Sequence, residues 1–592
     1  MSNLSNNIKI YLTYKQRLAL FGLVFLMTVS ALLEIIGIGI VPLFVAALLD
    51  FQLINDYVNK IDIKFLYFLK ELSQEELLTY MTIFIIFLFV FKNIFILIVH
   101  YLQNYFNYKI NCVNSEKLFQ KYLFSDYSFH LNRNSSALIK NITNEINHAT
   151  SFLNSIVFLI RELLIFSLTC ILLLINSPSH FIYISVILFI FLITFYILIK
   201  KRVETSGKKF YQSREKLFFT IQQSLGFIKE IILLNKKNIF FNAYKKHLYS
   251  TEFQNVFLNT VNKVPRVTFE LLAVFIILLI VYYFFDNSRN QLLPMLSLYA
   301  IALIRLIPSY SQISTSILKL KFFKYPFEEI CKELKHAKNT QTKEGYKDDL
   351  NEIVYEKNKK IEIKNLNFSY ENSGEILKDV DFSFLSGEAV GIVGSSGSGK
   401  TTLGDIIMGL YNPTNGHVLF DNKNIRQNLK TWNNIIGYVP QDVFILDATI
   451  KHNIAIEFDD ELIDNNKLEN AISLSNCKEF VSKLTDGLNT NVGERGVKLS
   501  GGQRQRIGIA RALYKEPSII LFDEATSSLD EKNEREIINS IINLKGKKTL
   551  ICISHKLSNL KQMDKLIFIE NKNIQKIGKP EEIIKFLQKK TN

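Results

Sequence analysis

Six long apolar segments in the N-terminal half restrict the folds that this sequence can adopt. A helix needs about 20 consecutive apolar residues to cross a bilayer, and each segment reaches that length. The segments lie at 18–49, 77–103, 155–176, 180–200, 266–285 and 291–317. Because unpaired backbone groups are costly in hydrocarbon, such segments become helices. The sequence therefore predicts a membrane domain with six transmembrane helices, which we place at 1–325.

Basic residues near the ends of these segments predict the orientation of the bundle. They cluster at 15–17, 200–202, 208–209 and 319–324. Loops on the cytoplasmic side of a membrane are enriched in Lys and Arg, so both termini and the 201–265 connection are expected to be cytoplasmic. The same interpretation accounts for the formal net charge of +15. No basic block interleaved with aromatics resembles a nucleic-acid-binding module, so no nucleic-acid partner is expected.

The long connections 104–154 and 201–265 carry apolar residues at helical spacing. This pattern predicts that the flanking helices continue well past the bilayer. At the tips, around 126–137 and 224–235, a turn signal accompanies a short amphipathic piece. We expect two cytoplasmic elbows there that press on another domain.

The composition changes after the last apolar segment. A charged stretch predicts a linker at 326–357, and short β-rich runs then alternate with amphipathic helices. That alternation is typical of an α/β domain, here 358–592. The predicted fold class is a membrane α-helical bundle fused to an α/β P-loop domain.

A strand-like run ends in the sequence GSSGSGKTTL and precedes a predicted helix. In this context the pattern predicts a P-loop, whose backbone N–H groups surround phosphates at a helix N-terminus. A chance glycine-rich turn is the alternative. We expect Lys400 to reach the terminal phosphates of ATP and the Thr401 hydroxyl to face Mg²⁺. The predicted nucleotide-binding residues of the loop are Gly394, Ser395, Gly397, Ser398, Gly399, Lys400, Thr401 and Thr402.

A second strand-like run, SIILFDEATSSLD, ends in two acidic residues. We expect Asp523 to hold the metal and Glu524 to polarise the attacking water. Tandem buried carboxylates without such a role would be costly.

Residues 499–506 read LSGGQRQR, and 499–503 match the signature of the ATP-binding cassette family, which the C-terminal part resembles. The resemblance implies that the signature closes over the γ-phosphate of ATP bound to the opposite subunit, so that two cassettes enclose two nucleotides. One chain with one cassette would then pair with a second copy of itself; a heterodimer with a similar chain remains the alternative. The implied signature contacts come from Ser500, Gly501, Gly502 and Gln503.

Four further positions take their roles from the same resemblance. Tyr370 would stack on adenine, and Gln441 would sense Mg²⁺ and take part in catalysis. Asp530 would belong to the loop that crosses to the opposite subunit, and His555 would contact the γ-phosphate as the switch histidine.

The stretch 493–496, GERG, resembles a loop typical of exporters. Six spans fused to one cassette also resemble an exporter half-transporter. A soluble cassette ATPase would lack those spans, and the intact Glu524 argues against a nucleotide-gated channel or regulator.

Three basic residues within the predicted spans suggest what is carried. A cation in a span normally faces a partner or a water-filled cavity. Lys92, Arg266 and Arg305 could form a basic lining for a phosphate or pyrophosphate. Snorkelling to the interface is an equal alternative for Arg266. The other alternative is pairing with a glutamate of the bundle, namely Glu34, Glu162 or Glu270.

Segments 263–285 and 296–317 look like helices of bacterial lipid-linked oligosaccharide flippases. This resemblance implies an inner-membrane protein and a cargo with a polyprenyl tail, a pyrophosphate and a glycan. Lys92, Arg266 and Arg305 match basic positions of that group and would hold the pyrophosphate; a lysine in place of arginine weakens bidentate binding. Segment 51–72 could receive the lipid tail at the outer surface or form an ordinary loop. An exporter of lipid A, drugs or peptides is the alternative.

Overall fold

The computed structural model describes residues 2–49, 74–176, 178–284, 289–341, 356, 358–370, 374–525 and 531–591. Segment 51–72 and Asp530 therefore lie outside the described residues. The chain divides into two compact units, which are described separately. We call 1–125 with 129–344 the helical unit, and 126–128 with 345–592 the α/β unit.

The helical unit is built from long helices that contain the six predicted spans, the fifth of them as far as Phe284. The spans lie in α2, α3, α6, α7, α10 and α11. In chain order the helices are α1 (Ser2–Tyr11), α2 (Tyr14–Leu49), α3 (Gln74–Leu123), α4 (Tyr127–Leu131), α5 (Ser135–Lys140), α6 (Ile146–Asn176), α7 (Pro178–Gly226), α8 (Ile228–Leu233), α9 (Lys237–Val261), α10 (Val264–Phe284), α11 (Arg289–Phe322) and α12 (Lys324–Gln341). Within the described part of the chain, three helical stretches are long and apolar enough to cross a membrane: 14–42, 75–123 and 135–175.

The predicted extension of the helices past the bilayer is confirmed by their lengths. Helix α3 has 50 residues and α7 has 49. At a rise of about 1.5 Å per residue each is about 75 Å long, more than twice the hydrocarbon thickness of about 30 Å. Short helices, α4 and α8, lie at the two predicted elbows.

Helix α12 covers the first part of the segment predicted as a linker, 326–357. Residues 326–341 belong to α12, which packs into the core of the helical unit through Phe327, Ile330 and Leu334. These residues recur at helical spacing, so the helix buries one apolar stripe and exposes its charged residues. The unit boundary falls between Glu344 and Gly345.

The α/β unit contains two sheets. A four-stranded antiparallel sheet has the order β2-β1-β4-β5, and a six-stranded sheet has the order β10-β9-β3-β8-β7-β6. The strands are β1 (Lys360–Ser369), β2 (Glu375–Leu385), β3 (Ala389–Gly394), β4 (Asn415–Phe420), β5 (Lys423–Asn424), β6 (Ile436–Val439), β7 (Ile519–Asp523), β8 (Thr549–Ile553), β9 (Lys565–Glu570) and β10 (Asn573–Gly578).

The central strands β3, β8, β7 and β6 run parallel. They are apolar along almost their whole length because apolar clusters cover both faces of the sheet. The helices of the unit are α13 (Lys400–Ile407), α14 (Leu429–Ile435), α15 (Ile450–Ala455), α16 (Asn465–Leu474), α17 (Lys478–Val481), α18 (Gly501–Tyr514), α19 (Glu531–Ile542) and α20 (Pro580–Thr591). Since β3, β8 and β7 are neighbours, the residues that follow them meet at one edge of the sheet.

Candidate functional site

The P-loop connects β3 to α13 at this edge. Gly397 and Gly399 have φ angles of +77° and +97°, which favour glycine. A Cβ on Gly394 would collide with the carbonyl oxygen of Ile569, so only glycine fits there as well. Gly399 provides no side-chain cap for α13, so the first N–H groups of the helix point out of its end without a cap. Such a helix end is an anion-binding site.

Two further groups of the loop fit a phosphate. The Ser398 hydroxyl is buried and has no hydrogen-bond partner within the described residues. The Lys400 ammonium donates to the carbonyl oxygens of Gly394 (3.1 Å) and Ser395 (2.8 Å). Burial lowers the pKa of Lys400, while Glu524 and Asp523 raise it. A phosphate bound in the loop would accept hydrogen bonds from both the Ser398 hydroxyl and the Lys400 ammonium. Phosphate binding is the role predicted for this loop.

Thr401 and Asp523 lie next to each other, as expected for a pair that holds Mg²⁺ with a nucleotide. The Thr401 hydroxyl donates to Asp523 Oδ1 at 3.4 Å. Burial raises the pKa of Asp523, and the hydrogen bond from Thr401 lowers it. Among the described residues no group of three or more His, Cys, Asp or Glu could hold a metal. Mg²⁺ is often bound by few protein oxygens together with substrate phosphates, so these two oxygens fit that use.

Glu524, Gln441 and His555 are brought together from three different strands. Glu524 follows β7 with a φ of +50°, and its N–H donates to the carbonyl oxygen of Ile553 at 3.0 Å. Gln441 Nε2 donates to Glu524 Oε2 at 3.0 Å, and His555 Nε2 contacts Glu524 Oε1. The arrangement combines a carboxylate that can accept a proton with two donors beside it.

Sequence reasoning missed one acidic residue near this site, Asp405 of α13. Burial, with a smaller contribution from Asp523, raises its pKa to about 6. The signal was available, since a single acid stands in the otherwise apolar sequence that follows the P-loop. Its partial burial became visible only in the fold.

Tyr370 lies at the end of β1 beside the P-loop helix. Its hydroxyl is 3.0 Å from Thr402 Oγ1, and its ring packs edge-on against Phe368 and Tyr411. Both contacts orient the ring next to α13. Adenine stacking by Tyr370 stays a prediction.

The signature residues form the start of α18. Ser500 Oγ accepts from the Gln503 N–H at 3.2 Å, and Gln503 Oε1 accepts from the Ser500 N–H at 2.8 Å. This reciprocal capping box orders the helix start and places Gly501 and Gly502 in the first turn. The trans contact predicted for these four residues stays a prediction.

In the helical unit, Arg305 belongs to a charge cluster that joins α2, α6 and α11. Its Nε lies 2.6 Å and its NH2 2.5 Å from Glu34 Oε2, and NH2 is 3.6 Å from Glu162 Oε2. Ser309 donates to the same Glu162 oxygen at 2.7 Å. Arg161 lies 3.7 Å from Glu34 and 3.9 Å from Glu162, and it is therefore also a member of the cluster. The sequence did not indicate this role for Arg161.

The other two cations of the predicted lining, Arg266 and Lys92, have different partners from Arg305 and from each other. Arg266 pairs with Glu270 one turn away at 2.8 Å, and both side chains are largely exposed. Lys92 forms no ion pair with any residue that the structure describes; its ammonium lies 4.1 Å over the Phe89 ring. Arg305 and Arg266 are thus both paired with glutamates, and the binding of a pyrophosphate by Lys92, Arg266 and Arg305 stays a prediction.

Two family models match parts of the chain, one in each unit. Residues 377–527 match the family model of the ABC transporter, and residues 23–305 match the ABC transporter transmembrane region. The structure of a bacterial Atm1-family ABC exporter with ATP bound superposes with a TM-score of 0.74 over 97% of this chain and 96% of that chain, at 20% identity. The chain has the fold of an ABC exporter half-transporter. The predicted fold class is confirmed.

Curated relatives match a little over a third of the chain. The chain is 42% identical over 226 residues to the Toxin RTX-I translocation ATP-binding protein of Actinobacillus pleuropneumoniae, and 40% identical over 228 residues to a putative multidrug export ATP-binding/permease protein of Bacillus subtilis. It is 38% identical over 225 residues to the ATP-dependent lipid A-core flippase of Francisella tularensis. Each match covers 38% of this chain, and the chain spans 32%, 39% and 37% of these relatives respectively.

Proposed function

We propose that this half-transporter forms a homodimer in the bacterial inner membrane and uses ATP hydrolysis to move a lipid-linked oligosaccharide to the outer leaflet. The observation that carries the ATPase part is the convergence of Gln441, Glu524 and His555 next to the P-loop. The cargo part rests on Lys92 and its position beside the charge cluster.

The α/β unit supplies the groups that hydrolysis requires. Lys400 and the start of α13 bind the phosphates of ATP, and Thr401 and Asp523 would hold Mg²⁺, which neutralises phosphate charge when bound. Glu524 orients the attacking water and accepts its proton. His555 and Gln441 contact both oxygens of Glu524 and orient the carboxylate.

The second copy completes each site in this proposal. Ser500 and the glycines after it lie at the exposed start of α18, where the capping box holds them ready to meet a phosphate bound by the other chain. Two such sites form when the cassettes close around two ATP molecules.

The charge balance of the helical unit supports an anionic cargo. Within the described residues of the charge cluster, Arg161 and Arg305 are balanced by Glu34 and Glu162, so the neighbouring Lys92 adds a surplus positive charge. A Cβ on Gly37 would lie 3.5 Å from the Lys92 ammonium, and Gly37 is one turn from Glu34 on α2. Lys92 therefore stands beside the cluster, and two copies supply two surplus positive charges. A pyrophosphate diester carries about two negative charges at neutral pH, which matches this surplus.

Reconstituted vesicles test the proposal. Purified protein is incorporated with a fluorescent polyprenyl-diphosphate glycan, and transfer to the outer leaflet is followed by quenching. We expect transfer with ATP and Mg²⁺ and none with a non-hydrolysable analogue. Lys92→Ala should abolish transfer while basal ATPase turnover persists, whereas Lys109→Ala, which removes an exposed lysine of the same helix, should transfer normally.

Lys92 is a sharper probe than Arg305. Loss of Arg305 would leave Glu34 and Glu162 short of a cation in a buried cluster, which destabilises the bundle whatever the cargo is. Normal transfer by Lys92→Ala would contradict the role of Lys92. Transfer of lipid A, a drug or a peptide, but not of the diphosphate lipid, would contradict the cargo and leave the ATPase part standing.

A further inference from the structure

The loop that carries His555 is attached to helix α19 through one buried carboxylate. Glu534 is 6% exposed. Its Oε2 accepts a hydrogen bond from Lys556 Nζ, and its Oε1 accepts one from Asn559 Nδ2, both at 2.8 Å. The two donors are one and four residues after His555. Each oxygen of the carboxylate therefore holds a different point of the same loop.

Helix α19 is a fixed support for this carboxylate. Ile537 and Ile541 lie three and seven residues after Glu534, on the same face of the helix, and both are buried in the main apolar core of the α/β unit. A core side chain is held by close packing on all sides. Glu534 therefore holds the loop at a fixed position relative to the apolar core.

The loop is also attached on the N-terminal side of His555. The carbonyl oxygen of Ile553, at the end of β8, accepts from the Glu524 N–H, and the Ser554 hydroxyl accepts from the Lys556 N–H at 3.1 Å. His555 thus lies between two attachments of the loop. Ile553 before it is hydrogen-bonded to Glu524 after β7, and Lys556 and Asn559 after it are hydrogen-bonded to Glu534 of α19. Its imidazole can change partner while the backbone on both sides stays in place.

We propose that Glu534, Lys556 and Asn559 are positioning residues for ATP hydrolysis, which keep the backbone after His555 at the distance from Glu524 that turnover requires. The inference rests on the proposed ATPase function. Hydrogen bonds to a charged carboxylate are stronger than neutral ones, so Lys556 contributes more than a neutral side chain would. Without the Lys556 ammonium the buried carboxylate loses one charged donor and the loop loses one of its attachments.

Turnover kinetics of the full-length protein test this role, because a displaced catalytic group lowers kcat more than it affects substrate binding. We expect Lys556→Ala to lower kcat about tenfold, within the range for small misplacements of reacting groups, with KM for ATP and the affinity for a fluorescent ATP analogue changed less than about twofold. Lys556→Arg keeps the cation and should restore most of the turnover. Asn559→Ala should lower kcat in the same way by a smaller factor.

Lys561→Ala is the matched control, because it removes an exposed lysine two residues beyond Asn559. Wild-type kcat in Lys556→Ala overturns the proposal, as does an equal loss in Lys561→Ala or the absence of rescue by Lys556→Arg. A joint loss of nucleotide affinity, thermal stability and kcat in Lys556→Ala also overturns it, because that pattern belongs to a structural contact. A wild-type protein without ATPase activity would instead contradict the proposed function.

Discussion

Glu524 stands where β7 ends, in a backbone conformation that non-glycine residues seldom adopt. Its φ of +50° turns the side chain away from the strand, while Asp523 keeps the extended conformation of β7 and faces Thr401. The two adjacent carboxylates therefore have different surroundings. Those of Asp523 suit metal binding, and those of Glu524 suit proton acceptance.

A first prediction separates nucleotide binding from hydrolysis. Glu524→Gln keeps the size and shape of the side chain but removes the carboxylate that can accept a proton. We expect ATP affinity close to that of the wild type and a turnover at least about 100-fold lower, measured by phosphate release and by equilibrium nucleotide binding. Asp486→Asn, which changes an exposed carboxylate of the same unit, is the control. Turnover near the wild-type rate in Glu524→Gln would refute the assignment.

A second prediction concerns Asp405 and pH. Folding raises the pKa of this carboxyl from 3.8 to about 6, so the folded state binds the proton more tightly than the unfolded state. The ionised group is therefore destabilising at neutral pH, and that effect is lost as the pH falls through 6 toward 4. Because the side chain is only half-buried, solvent screening reduces the effect at neutral pH to about 1 kcal/mol.

Asp405→Asn removes the charge and should raise the free energy of unfolding at about pH 7.5. The difference from wild type should shrink at about pH 5, where the folded wild type is mostly protonated. Thermal unfolding of the nucleotide-free protein at both pH values measures it. A difference that stays constant between the two pH values would show that Asp405 does not titrate in this way.

At the scale of elements, the helical unit depends on close approach between helices. Gly207 of α7 lies against the backbone of Phe322 at the end of α11, and a Cβ on Gly207 would collide with the Phe322 carbonyl oxygen. Phe322 itself is buried with Val203, Phe210 and Leu318. Because the obstacle is backbone in a packed core, it cannot move aside as a flexible side chain could.

Gly207→Ala should therefore lower the free energy of unfolding by about 2 kcal/mol, the usual cost of overpacking. Gly226→Ala is the matched control, since Gly226 belongs to the same helix and nothing lies within 4 Å of an added Cβ. That variant should be neutral or slightly more stable, because alanine favours helix. Detergent-solubilised thermal unfolding of both variants makes the comparison, and equal stability of the two would contradict the packing interpretation.

The charge cluster also holds helices together. Glu34 on α2 accepts from Arg305 on α11 and also faces Arg161 on α6, so three helices share one set of opposite charges. Buried ions of this kind stabilise only when each has a partner, which fixes the rotation of the three helices relative to one another. Lys92 adds a charge to this region without a described carboxylate of its own.

At the scale of the whole molecule, the proposed homodimer predicts complementation between inactive chains. A Lys400→Ala chain lacks a working P-loop, and a Ser500→Arg chain lacks a working signature. Each alone should have no ATPase activity. When both are co-expressed, half of the dimers are mixed, and each mixed dimer contains one site with both parts intact.

Independent sites would then restore about a quarter of the wild-type activity, since half of the dimers carry one of two sites. Phosphate release by the co-purified mixture measures this. A chain that carries both substitutions, co-expressed with either single variant, is the control and should remain inactive. An inactive mixture of the two single variants would contradict sites shared between copies.

The sequence by itself determined the elements that depend on neighbouring residues. Apolar runs of bilayer length became α2, α3, α6, α7, α10 and α11, and the glycine pattern at 394–401 became a strand, a loop and a helix start. The physical reason is that helix formation in an apolar run and positive φ at glycine are local properties, readable along the chain. The sequence did not predict the helix at 326–341. Its apolar stripe is narrow, formed by Phe327, Ile330 and Leu334, and the charged residues of the exposed face dominate the composition.

The partners of charged side chains were decided only by the tertiary structure. The Glu34–Arg305 contact joins positions 271 residues apart, and Gln441, Glu524 and His555 meet only because their strands are neighbours in one parallel sheet. The sequence pointed to Glu34, Glu162 and Arg305 but left open whether Arg305 pairs with a glutamate or binds cargo. Electrostatic energy depends on distances through space and on burial, and neither quantity is present in the order of residues along the chain.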